Sequence, residues 1–131
     1  MKKTYLKTAA FLGALTVLLG ALGAHELKVI ADEKAIEIFE TGVRYQFYHV
    51  LALLLVGVIY RKFTNQLVNA AGILFITGIC FFCGSLYLLT AMEILKISVP
   101  IYVGLLTPLG GLILVAGWIC LGLGIKEAKR G

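Results

Sequence analysis

The stretch LVNAAGILFITGICFFCGSLYLLTAM, residues 67–92, contains no charged side chain. It reaches past the ~17–25 apolar residues with which a helix crosses a bilayer. Three further stretches share its character, at about 8–24, 45–60 and 99–125. Together the four fill most of the 131-residue chain. Hydrophobic residues make up 60% and charged residues 15% of the chain, where a soluble domain holds about 45–50% apolar residues. The expected fold is all-α, an integral membrane four-helix bundle occupying 1–131 as a single domain.

The net charge of +5 could suggest a nucleic-acid partner, but its distribution points to a membrane. Lys2, Lys3, Lys7, Arg61, Lys62, Lys126, Lys129 and Arg130 fall at one set of span ends, and Lys28, Lys34, Arg44 and Lys96 at the other. The positive-inside rule then places both termini and the 61–66 loop in the cytoplasm. Glu26, Asp32, Glu33, Glu37, Glu40 and Glu93 fall outside. The partners expected are membrane lipids, and a second copy or another membrane protein, with no nucleic acid. The first span also has the outline of a signal peptide ending at Ala21-Leu22-Gly23-Ala24. Its small residues at helical packing intervals suit a retained span better.

Residues 25–44 form the one sizeable segment outside the apolar stretches. Asp32 can cap a helix beginning at Glu33, with Ile36, Phe39 and Val43 on one face and Glu33, Glu37 and Glu40 on the other. This predicts an amphipathic interfacial helix over about 33–43, between spans one and two, turning near Gly42. A solvated connector is the alternative. In the fourth span Pro108 should introduce a kink. Gly110, Gly117 and Gly124 recur every seven residues and offer a smooth side to a neighbour.

Placed by depth, the polar side chains gather in the outer half: Tyr45, Gln46 and His49 in span two, Ser85 and Tyr87 in span three, and Thr107 in span four. His25 closes span one on the same side, and the inner halves hold little beyond Thr16 and Thr77. Polar groups in a membrane face the bundle and pair with one another. The expectation is therefore a shared cluster of His25, Tyr45, Gln46, His49, Ser85, Tyr87 and Thr107, either bracing the helices or binding a ligand. Two histidines without nearby carboxylate or thiolate partners make a thin metal site, and none is expected. Cys80 and Cys83 form a C-x-x-C that would share a helix face. It lacks the strand-to-helix setting of a redox motif, so these two and Cys120 read as packing residues. No nucleophile–base set or H-E-x-x-H occurs, and neither an enzyme nor a cofactor is expected.

Four segments together carry a family likeness. They are Gly20-Ala21-Leu22-Gly23-Ala24-His25, then Tyr45-Gln46-Phe47-Tyr48-His49, then Gly84-Ser85-Leu86-Tyr87, and Thr107-Pro108-Leu109-Gly110-Gly111 with Gly117-Trp118. In these motifs the chain resembles the YgdD-type small membrane proteins. The resemblance implies a bacterial inner-membrane protein of four helices with no assigned activity. It adds a short list of motif positions: His25, Tyr45, Gln46, His49, Ser85, Tyr87, Pro108 and Trp118. The helix-packing positions expected are Gly20, Gly84, Pro108, Gly110, Gly111, Gly117 and Trp118. The expected role is structural or accessory. The alternatives are a binder or carrier of a small amphiphile (quinone or lipid), and a small transporter or channel subunit. Single cysteines at positions 3, 32 and 129 of a cysteine-free variant should react with an impermeant thiol reagent from outside only at 32. Outside labelling at 3 or 129 would reverse the topology.

Overall fold

A computed structural model describes residues 2–126, which form helices α1 (Lys3–Ala24), α2 (Leu27–Ile30), α3 (Glu33–Ile59), α4 (Gln66–Gly78), α5 (Gly84–Ile94) and α6 (Ile101–Gly124). A π-helical turn, Ile79–Cys83, joins α4 to α5 without a break. Lys129 and Arg130, counted in the charge bias, lie outside the described residues. Four helical runs are long and apolar enough to span a membrane: α1, α3, Gln66–Ile94 and α6.

The helices form two antiparallel pairs. In the first, Gly57 of α3 faces Leu6 of α1, Gly13 faces Val50, and Gly20 faces Val43, so contacts recur every seven residues along both chains. In the second, Gly124, Gly117 and Gly110 of α6 face Val68, Phe75 and Phe82 at the same interval. The seven-residue glycine spacing legible in span four is thus one side of a ladder whose other side is Val68, Phe75 and Phe82. Small residues let helices approach closely where lipid supplies no hydrophobic drive for helices to meet. The core lies where the pairs meet, around Leu53 and Val56 of α3 and Val68, Ala71 and Phe75 of α4.

Residues 33–43 are helical and begin as expected: Asp32 Oδ1 accepts the Ala35 N–H at 2.9 Å. That bond, with the Lys96 ammonium beside it, holds the Asp32 carboxyl below its usual range. The predicted separate interfacial helix is corrected. The 33–43 segment and the second apolar stretch make one helix of 27 residues, with no turn at Gly42. Its apolar face packs on protein, since Phe39 fills the space above Gly23 and its ring lies 5.4 Å from that of Tyr87. A Cβ on Gly42 would come within 2.8 Å of the Tyr87 ring, so this glycine is a notch for Tyr87. The four-residue α2 is the only helix between the first two spans among the described residues.

The π turn changes the reading of the cysteines. Its wider winding separates positions three apart, leaving Cys80 exposed and Cys83 buried, so they do not share a face. Ser85 Oγ donates to the Phe82 carbonyl at 2.8 Å and occupies an acceptor within this turn. Helix α6 runs unbroken through Pro108. Past α5, Lys96 adopts a left-handed conformation (φ 54°) and Ile97 N–H closes onto the Met92 carbonyl at 2.9 Å.

Gly110→Ala should be the most disruptive of the ladder substitutions. Its Cβ would lie 2.3 Å from the Phe82 backbone nitrogen, which cannot rotate away. The expected loss is about 1–3 kcal/mol, read as a lowered thermal midpoint in detergent. Gly84→Ala is the matched control, with nothing within 4 Å of its Cβ. Equal effects of the two would contradict the packing.

Candidate functional site

Gln46 occupies the contact between the two helix pairs, 2% exposed. Its Nε2 donates to Thr16 Oγ1 of α1 at 2.8 Å, and its Oε1 accepts from Tyr87 Oη of α5 at 2.7 Å. Thr16 Oγ1 donates in turn to the Leu12 carbonyl at 2.6 Å. One polarity of donors and acceptors thus runs from Tyr87 through Gln46 and Thr16 into the α1 backbone.

His49, one turn further along α3, makes a second bridge between the pairs. The Trp118 Nε1–H of α6 donates to His49 Nε2 at 3.1 Å. An indole N–H can only donate, so Nε2 carries no proton. His49 Nδ1 then donates to the Tyr45 carbonyl at 2.7 Å. Both ring nitrogens are occupied by protein partners. Phe75 and Trp118 present their rings to the imidazole at centroid distances of 5.8 and 6.0 Å, and Tyr45 stacks on it at 6.3 Å.

The remaining positions separate from these two bridges. Ser85 and Thr107 pair with each other, Oγ to Oγ1, at 2.6 Å. This contact lies within the second helix pair and borders an apolar cleft of about 240 Å³. Tyr45 is half-exposed. His25 ends α1 in an exposed position. The structure therefore divides the expected cluster into Thr16–Gln46–Tyr87, His49–Trp118 and Ser85–Thr107, with His25 apart. Among the described residues no buried side-chain nitrogen or oxygen lacks a partner, and no group of three metal-ligating side chains occurs. Of the packing positions, Gly110 and Gly117 sit against Phe82 and Phe75, Gly20 and Gly111 make ordinary contacts, and Gly84 touches nothing. Gly84 is thus corrected as a packing position: it borders the open cleft beside Ser85 and Leu106 rather than a closely packed helix.

Polar groups are also not confined to one half, as the depth reading proposed. At the end that carries Lys2 and Gly124, Tyr5 Oη lies 2.8 Å from the Asn69 carbonyl and 2.9 Å from its Oδ1. Lys2 Nζ donates to the same Oδ1, and Asn65 Nδ2 donates to the Gly124 carbonyl at 2.8 Å. Sequence depth missed this knot because Tyr5 and Asn69 each stand at a span end, where polar residues read as solvated. Thr16 was missed for another reason: only the register between α1 and α3 shows that it faces Gln46.

A family model described as a protein of unknown function (DUF423) matches residues 19–111. A UPF0382 membrane protein of Staphylococcus haemolyticus is 40% identical, over 88% of this chain and 93% of its own length. The UPF0382 membrane protein YwdK of Bacillus subtilis is 37% identical, over 89% of this chain and 91% of its own. One from Haemophilus influenzae is 36% identical over 98% of both. This chain belongs to that family of small membrane proteins of unknown function. No solved structure matches it.

Proposed function

We propose that the protein is a non-catalytic structural or accessory component of the bacterial inner membrane, with both termini in the cytoplasm. One observation carries this reading: among the described residues, every fully buried side-chain nitrogen and oxygen has a hydrogen-bond partner, as the Thr16–Gln46–Tyr87 and His49–Trp118 bridges show. A catalytic or transport site keeps polar groups available to its substrate. The charge bias of the span ends supports the orientation. The motif likeness to the YgdD-type proteins belongs with this reading, as do lipids and a second copy or another membrane protein as partners. Carriage of a small amphiphile is the second reading, favoured by the cleft between α1, α2 and α3 on the bundle's surface.

The reading predicts that buried polar residues matter only through folding. In a deletion strain with an envelope-stress phenotype, Tyr87→Phe and Trp118→Phe should complement in proportion to the amount of folded protein that accumulates. A variant present at the wild-type level that fails to complement would point to a chemical role instead. Absence of any envelope phenotype on deletion would remove the accessory role.

A further inference from the structure

Near the end of the bundle opposite Lys2, a cleft of about 330 Å³ opens between α1, α2 and α3. Gly20, Gly23 and Phe39 contribute its apolar lining, and Lys28, Arg44 and Glu40 its charged groups. The glycines come from the first of the four family-like motifs and also pack against Val43 and Phe39 of α3. Among the described residues, the ion pairs join Lys34 to Glu93 and Lys96 to Asp32 and Glu93. Lys28 and Arg44 belong to none of them. Two cations on different helices therefore line one cleft, and neither has an acid within ion-pair distance among the described residues, although Glu40 lines the same cleft.

Arg44, which lines the cleft, also heads an exposed apolar face of α3 suited to a lipid chain. Phe47, Tyr48 and Leu51 follow Arg44 at spacings of three, four and seven and are 44, 51 and 49% exposed. Such spacing puts them on one helix face below Arg44. Arg44 itself adjoins Val43, the partner of Gly20 in the α1–α3 ladder. That level is one turn, about 6 Å, inside the end of α1 at Ala24. A charged group at this depth, with apolar surface beneath it, matches a lipid headgroup above its acyl chain.

We propose that this cleft binds the phosphodiester headgroup of an anionic membrane lipid, whose acyl chain lies along Phe47, Tyr48 and Leu51. Lys28 and Arg44 against Glu40 leave one positive charge, which a phosphodiester's single negative charge balances. A phosphomonoester would bring a second charge against Glu40. This inference rests on the membrane placement proposed above but not on the accessory role, and its test uses purified protein with no cellular phenotype.

The test is native mass spectrometry of the detergent-solubilised protein titrated with phosphatidylglycerol, with phosphatidylethanolamine and inorganic phosphate as separate arms. Phosphatidylglycerol should be retained in preference to phosphatidylethanolamine. Lys28→Gln and Arg44→Gln should each weaken retention roughly 5-fold, and about 25-fold together. Glu40→Gln should strengthen it. Lys7→Gln with Arg61→Gln removes the same charge at the other end of the bundle and should change nothing. Gly20→Leu tests the cavity without altering charge. A Cβ there meets Val43 at an ordinary 3.7 Å, and Gly20 lines the cleft, so a larger side chain should exclude the lipid while the protein still folds, which its thermal midpoint checks. Equal retention by wild type, the Lys28/Arg44 double variant and Gly20→Leu would overturn the proposal. Full displacement by inorganic phosphate would mark a free-anion site and also overturn it. So would weaker binding in Glu40→Gln with phosphatidylethanolamine preferred, which would mean a zwitterionic ligand.

Discussion

Two zippered helix pairs have no hydrophobic reason to stay together inside lipid. Apolar surface gains nothing by leaving acyl chains for another apolar surface, so association depends on close packing and on polar groups that find no other partner. The seven-residue ladders solve the first half of this problem inside each pair. Hydrogen bonds solve the second half between the pairs. Gln46 ties α1 and α3 to α5, His49 ties α3 to α6, and Tyr5 ties α1 to α4. The Gly42 notch lets Tyr87 reach Gln46, and the tautomer that fits His49's neighbours lets it accept from Trp118.

The four spans were legible because uncharged runs of this length have few other uses, and the glycine interval announced the α6 face of its ladder. The partners of those glycines could not be read, because register between helices is a property of pairs rather than of either sequence. Gly42 shows the same limit. Alone it resembled a helix breaker, and the Tyr87 ring against it explains its place within an unbroken helix. Phe39 patterned as part of an amphipathic face, and periodicity does not distinguish a face turned to lipid from one turned to Gly23 and Tyr87. The π turn has no composition signal, so the opposed environments of Cys80 and Cys83 were invisible.

For the candidate site, depth proved a partial guide. It selected Gln46, His49 and Tyr87, which do bridge the helix pairs, and joined to them Ser85, Thr107 and His25, which do not. Trp118 stood among the packing positions and is also a hydrogen-bond donor to the core. The likeness to UPF0382 membrane proteins extends over most of the chain, so the described bundle offers a structural frame for relatives whose names state no activity.

The most direct measurement of the bridging role is a double-mutant cycle on Gln46→Met and Tyr87→Phe, with unfolding free energy measured in detergent micelles. These replacements keep volume and remove the 2.7 Å hydrogen bond between α3 and α5. A coupling energy of about 0.6 kcal/mol is expected, the average found for hydrogen bonds between membrane helices, with about 1.7 kcal/mol the largest. Additive effects, with a coupling near zero, would contradict the claim that this bond holds the two pairs together.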